Sequence, residues 1–416
     1  MNDRANLPDA ATSDPLRMGW MSGFPPDPER RIRYEDGSFL RFPQLRWSFS
    51  HMRELVPTVE VKRGRGAPAV LPVDLRSDLD AIPIRLANGQ TMTWLESLAA
   101  NYTDGIVVLH QGRLVYERYF GAGSPDQPHI AFSVTKSFVG TLAAMLAEEG
   151  ALEPDAPVVT YVPELAGSAY ADACVRQVMD MTIGVDCSED YTDPNAGIYK
   201  MMRASGAIPG TSDENSLGSL YAYLPTAPKL GPHGEAFAYR TINTEVLGWI
   251  LRRASKQSLA MLLSERIWQK LGAEQDAYLW IDRAGTELAG GGLCAVLRDL
   301  TRFGEMIRLK GAFNGQQIVP AAVVADIQKG ADPVHFERAR MYSESFPKGS
   351  YRNMWWITHN EHGAFSARGV HGQVIWIDPK AEMVIARFGS HHLAANIYID
   401  PTSLPAYQAM GEYLMR

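Results

Sequence analysis

Residues 129–150, HIAFSVTKSFVGTLAAMLAEEG, constrain the fold more than any other stretch. Phe138, Val139, Leu142, Met145 and Leu146 recur at three- to four-residue spacing, which predicts a helix with its apolar side buried. Gly150 stands where a left-handed C′ residue belongs. At the mouth of this helix, Ser133 and Lys136 share one face, with Cβ atoms roughly 5–6 Å apart. A lysine so near a buried helix start is partly desolvated, which lowers its pKa and favours the neutral amine. A neutral amine can take a serine proton; an ammonium cannot. The plainer alternative makes Ser133 an N-cap and Lys136 a solvated first-turn residue, and since N-caps are common the segment alone favours it. A second Ser-x-x-Lys, Ser345-Phe-Pro-Lys348, serves as a control. Pro347 and the following Gly349 put it in a loop with no fixed side-chain orientation, so it is discounted.

The remaining pattern frames that helix. DGIVVLHQGRLVYERYF predicts a hairpin of Ile106–His110 and Leu114–Phe120 turning at Gln111-Gly112. VRQVMDMTIG (175–184), INTEVLGWILRRAS (242–255), LAMLLSERIWQKLG (259–272) and VLRDLTRFGEMIRLKG (296–311) read as helices. RNMWWIT, GQVIWIDP and EMVIARFG read as strands, and LPAYQAMGEYLMR as a closing helix. Strands at both ends with helices between predict an α+β fold, a central antiparallel sheet flanked by helices. Residues 1–95 read as an extension packed on a catalytic domain of 96–416, with a helical subregion inserted at about 150–235. Within the extension only RWSFSHMRELVPTVEV (46–61) looks helical, and disorder is expected for the first dozen residues.

Composition narrows the function. A net charge of -7 and a longest basic run of Lys62-Arg63-Gly64-Arg65 argue against nucleic-acid or membrane partners. Cys174, Cys187 and Cys294 are far apart and form no metal-ligand or disulfide pattern. No signal peptide or apolar membrane span is evident, so a cytoplasmic protein without metal or cofactor is expected. G-x-S-x-G, H-E-x-x-H and the phosphate-loop motif are all missing.

Two further stretches carry chemistry-bearing residues. In EAFAYRTINTEVLGWIL (235–251), Tyr239 precedes a helix capped by Asn243 or Thr244. It is either an aromatic anchor or a phenol that relays a proton to a leaving group. In ARGVHGQVIWIDP (367–379), Gly369 and Gly372 permit close backbone approach. An N–H there, such as that of Val370, could pair with that of Ser133 as an oxyanion hole. His371 is a candidate polar lining, although a lone histidine at a strand start is more often structural.

Ser133-Val-Thr-Lys136, Tyr239 and the Gly369–Gln373 turn, in that order, resemble the serine β-lactamase and penicillin-binding-protein superfamily. LEPDAPVVTYVPELAG (152–167) and VRQVMDMTIGVD (175–186) agree, and the resemblance spans residues 103–415. YVPELAGSAY, SEDYTDP, NTEVLGWI and VHGQVIWIDP are most similar to the 6-aminohexanoate-dimer hydrolases, amidases that also act as carboxylesterases. The resemblance implies a β-lactamase/transpeptidase-like fold. It makes Ser133 the nucleophile, Lys136 its base and Tyr239 the relay, with an oxyanion hole from the N–H groups of Ser133 and Val370. Tyr191 matches a tyrosine that contacts the amide substrate. A small-molecule ester or amide is the implied partner, and a homodimer is left open. Rival readings are a D-amino-acid peptidase, amidase or acyltransferase on the same scaffold, or a β-lactam sensor without turnover.

Three departures from the pattern matter. Tyr-x-Asn is replaced by Tyr239-Arg-Thr-Ile-Asn243. Ala367-Arg368-Gly369 stands for Lys-Thr-Gly without its basic first residue, which weakens β-lactam recognition. An aspartate that favours the amine end of the nylon dimer is missing, its equivalent position falling near Met202.

Overall fold

A computed structural model describes residues 7–211, 217–339, 342 and 345–416. In chain order the elements that position the site are β1 (Thr58–Val61), α1 (Trp94–Ala100), β2 (Thr103–His110), β3 (Arg113–Tyr119), β4 (His129–Ile130) and α2 (Val134–Glu148). There follow α3 (Val175–Met179), α4 (Gly197–Ser205), α5 (Thr241–Ser255), β5 (Ala277–Trp280), β6 (Leu293–Ala295) and α6 (Leu297–Arg308). The chain closes with β7 (Ser350–Arg352), β8 (Trp355–Ile357), β9 (Phe365–Gly369), β10 (Gln373–Asp378), β11 (Met383–Gly389) and α7 (Asp400–Leu414).

Seven strands form one antiparallel sheet in the order β7-β8-β9-β10-β11-β2-β3. The N- and C-terminal strands therefore meet in its interior, where β11 pairs with β2. This is the α+β arrangement that the order of elements predicts. Side chains alternate across a strand, and β10 shows how both faces are used. Ile375 faces Gly304 of α6, while Trp376 packs on Tyr407 of α7 at 5.5 Å. Helices α2 and α6 thus cover one face, α1 and α7 the other. Between α2 and α6, Phe138 stacks on Phe303 at 3.7 Å, and Trp355 of β8 donates to Thr141 at 3.1 Å. A smaller antiparallel sheet, β1-β5-β6-β4, ends directly before Ser133.

Several local expectations need correction. The 46–61 stretch is one short helix, Leu45–Ser48, a single 3-10 turn and then strand β1 paired with β5. Its β-branched end, Thr58–Val61, is claimed by the sheet. Helix α3 stops at Met179, because Asp180 turns its carboxylate to the N–H of Asn353 and to Arg352, and Met181 takes a positive φ of 56°. RNMWWIT is two strands, β7 and β8, joined at Asn353-Met354, both at positive φ. That turn lacks the usual glycine; Ser137 and the N–H donated to Met179 hold it instead. Strand β9 is not evident in the sequence pattern. Helix α5 begins at Thr241 rather than after an Asn243 or Thr244 cap, and Asn243 accepts from the Tyr170 hydroxyl at 2.8 Å. Residues 7–12 of the expected disordered dozen form a turn tied by Asp9 to Thr12; residues 1–6 lie outside the described residues. Among the described residues no helix is long and apolar enough to cross a membrane.

Phe138 has no solvent exposure. Phe138→Ala is expected to lower the unfolding free energy by about 3–5 kcal/mol, measured by urea denaturation. A loss below about 1 kcal/mol contradicts the packing described for α2 and α6.

Candidate active site

The chain enters the site from β4 through Ala131, whose N–H is tied to Leu293 O at 2.8 Å. Phe132 then takes a positive φ of 43°, a conformation costly for a bulky residue and held here by its surroundings. Its carbonyl accepts both the Thr135 N–H (2.9 Å) and the Thr135 hydroxyl (2.6 Å). Ser133 occupies the N-cap position of α2, yet its side chain makes no capping hydrogen bond. The plainer reading of Ser133 therefore fails on geometry. Its oxygen is engaged elsewhere.

Lys136 is not the solvated residue of that reading either. It is 1% exposed. Its Nζ donates to Ser133 Oγ at 2.9 Å, to Thr241 Oγ1 at 3.0 Å and to Gly290 O at 2.5 Å. Burial lowers its pKa from the ordinary lysine value to about 8, with Glu189 and Glu245 pulling the other way. Near neutrality the amine is thus close to its titration point, with the serine hydroxyl in reach of its lone pair.

Tyr239 lies 8% exposed in an aromatic nest with Trp356 at 5.2 Å and Tyr351 at 6.1 Å. Its ring centroid is 5.2 Å from Lys136 Nζ. Burial and the Glu189 carboxylate push the phenol well above its ordinary pKa, and a hydrogen bond with Ser133 opposes them. The structure thus brings Ser133, Lys136 and Tyr239 together. The second Ser-x-x-Lys lies apart in a turn, with Lys348 exposed at positive φ.

A cavity of about 600 Å³ opens above Ser133. Val370 and His371 line it. A Cβ on Gly369 would sit 2.6 Å from Ala131 O and 3.1 Å from Ser133 N, so only glycine lets this strand end reach the Ser133 backbone. The ring of His371 donates from Nδ1 to His391 O at 2.7 Å, which leaves Nε2 as its acceptor. Burial takes its pKa down to about 4, so the ring is neutral. Tyr191 lines the cavity and donates to Glu189 at 2.6 Å. Met202 lines it too, with Leu220, Trp280 and Leu288. Leu40, Phe42 and Leu45 add an apolar wall from the N-terminal ninety-odd residues. Arg368 is not among the lining residues: its guanidinium pairs with Asp400 and lies over Phe346 at 4.8 Å. Among the described residues no group of three or more His, Cys, Asp or Glu is placed to hold a metal.

Thr241, Gly290, Glu189 and Glu245 escape the sequence reading. Thr241 is legible in hindsight, because it stands two residues after Tyr239, where Tyr-x-Asn has its asparagine. Gly290 acts through its carbonyl, which no side-chain pattern announces.

The Beta-lactamase family matches residues 95–391, and the chain belongs to that family. Over 376 residues it is 35% identical to the 6-aminohexanoate-dimer hydrolase of Paenarthrobacter ureafaciens, covering 87% of this chain and 92% of that relative. A Bacillus anthracis structure, provisionally described as a 6-aminohexanoate-dimer hydrolase, is similar at 34% identity. Its TM-score is 0.84, and the match covers 94% of this chain and 98% of that one. A family VIII carboxylesterase shares the fold, with a TM-score of 0.55 at 17% identity over 76% of this chain and 95% of its own.

Labelling of Ser133 by a fluorophosphonate is expected to accelerate as pH rises through about 8, as Lys136 loses its proton. Mass spectrometry of the labelled chain measures it. A rate flat from about pH 6 to about pH 10 contradicts the amine's role in activating the hydroxyl.

Proposed function

We propose that the chain is a cofactor-free serine hydrolase that cleaves carboxylic esters or linear amides through an acyl-enzyme on Ser133. The observation that carries this reading is the contact of a fully buried amine, Lys136 Nζ, with Ser133 Oγ at 2.9 Å. Lys136 takes the hydroxyl proton as Oγ attacks the carbonyl carbon. The N–H groups of Ser133 and Val370 stabilise the tetrahedral oxyanion, where preorganised donors are worth most. Tyr239, with its ring beside Lys136, relays the proton to the departing alcohol or amine. Water then attacks the ester on Ser133, with the same groups acting in reverse, and releases the acid.

The cavity supports a largely apolar acyl group. Leu40, Phe42, Met202, Leu220, Trp280 and Leu288 supply its apolar wall, and Arg240 and Glu189 add a guanidinium and a carboxylate to the lining. Tyr191 and His371 are the proposed polar contacts to the substrate. A β-lactam carboxylate finds no partner in Arg368, which Asp400 already neutralises. The relatives named for a linear amide favour amide cleavage on the same machinery. Met202 favours neutral over amine-bearing chains.

Ser133→Ala is expected to abolish turnover of p-nitrophenyl esters, and Tyr239→Phe to lower kcat by about 10²–10⁴. Steady-state assays on short-chain esters, linear amides and β-lactams should rank neutral esters first and β-lactams last. Unchanged ester turnover by Ser133→Ala overturns the reading.

A further inference from the structure

The shortest contact of Lys136 Nζ is to a backbone carbonyl, Gly290 O at 2.5 Å. That carbonyl belongs to Ala289-Gly290-Gly291-Gly292, a run with no polar side chain to anchor it. What anchors it is Glu245, one helical turn after Thr241 on α5 and only 4% exposed. Its two oxygens accept the N–H groups of Ala289 and Gly290, each at 2.9 Å. Thr241 and Glu245, at i and i+4, therefore present one face of α5 to the amine and to the loop that holds it. The fit excludes a side chain at position 290, where a Cβ would sit 2.4 Å from Thr241 Cγ2 and 2.7 Å from Glu245 Oε1.

A carboxyl with both oxygens accepting N–H bonds is matched to the anion, since protonation would turn one acceptor into a donor. Burial raises the Glu245 pKa to about 7, and the two N–H bonds and Lys136 oppose the rise. The groups facing this pair are few. Glu189 faces Lys136 from the cavity side, and Ser133 and Tyr239 lie against it. Asp282 acts on Glu245 from the 281–288 segment, and Tyr221, Arg252 and Glu287 border it, the last two paired at 3.1 Å. Glu245 and Glu189 both line the cavity, Glu245 holding the N–H groups of the amine's cradle and Glu189 the Tyr191 hydroxyl and the Thr241 N–H.

We infer that Glu245 is a positioning residue of this site: it clamps the Gly290 carbonyl onto Lys136, and its charge sets the pH at which the amine becomes free to accept a proton. The inference rests on the proposed roles of Ser133 and Lys136. It joins two effects of opposite sign. The clamp raises the rate by holding the amine on Ser133, whereas the charge favours the ammonium and so moves the onset of activity to higher pH.

Those signs separate a positioning role from a merely structural one. In Glu245→Gln the charge is lost, and an amide N–H now opposes one of the two backbone N–H groups. On a p-nitrophenyl ester, kcat is expected to fall about 10²-fold, the scale of a misplaced group. The acid limb of the pH–kcat/KM profile is expected to move down by about one unit, the smaller end of a single charge's effect. Glu245→Asp keeps the charge but shortens the reach, so kcat should fall while the limb stays in place. A Glu245→Gln limb that does not move, or kcat unchanged in either variant, overturns the inference. If Glu245→Gln does not fold, Glu245→Asp still decides, since a structural role lowers its melting temperature and leaves kcat alone. Should the wild type itself show no limb near pH 8, the fault lies with Lys136 as base, which distinguishes the two failures.

Discussion

Burying a primary amine at the first turn of an apolar helix is unfavourable unless the amine is neutral or fully bonded. In this chain three oxygens meet it, one each from Ser133, Thr241 and Gly290. They come from α2, from α5 and from the loop before β6, so the contact requires the whole layered arrangement around it. The small sheet delivers Ser133 through β4. Helix α2 carries Lys136 inward, packs on α6 through Phe138 and meets the central sheet through Thr141. Helix α5 brings Thr241 and Glu245 across it. The stability of the fold and the reactivity of the amine thus share their contacts.

The wall that meets a substrate is assembled from distant parts of the chain. The segment after β9 brings Val370 and His371, and the 188–192 stretch brings Glu189 and Tyr191. Residues 40–45 add an apolar side from well before the family match begins. Glu189 links the wall to the chemistry, because its oxygens accept both the Tyr191 hydroxyl and the Thr241 N–H. Met202 lines the cavity, whereas Arg368 is paired with Asp400 and Arg240 is the arginine on the wall.

Much of this was legible in the residues. Helices α2, α5 and α6, the β2–β3 hairpin and the last two strands follow from periodicity and turn residues alone. Ser133, Lys136 and Tyr239 needed the ordered motifs, since each had a plainer reading that its own segment could not remove. What stayed hidden shares a physical cause. The Asn353-Met354 turn, the early end of α3 and the irregular 46–61 stretch are held by bonds to residues far away in sequence. Gly290 contributes a carbonyl, and Glu245 reads as one more polar residue in an amphipathic helix until the loop it holds is known. Thr241 was concealed differently: it stands where the Tyr-x-Asn pattern has an asparagine, and it accepts from Lys136.

The central claim is that Ser133 forms a covalent ester because an uncharged Lys136 stands beside it. Rapid-quench mass spectrometry with a slowly hydrolysed p-nitrophenyl ester tests it most directly. The account predicts one acyl group on the peptide that contains Ser133, and none in Lys136→Met, whose apolar side chain suits the buried position. An adduct on any other peptide, or Lys136→Met acylated as fast as the wild type, would contradict it.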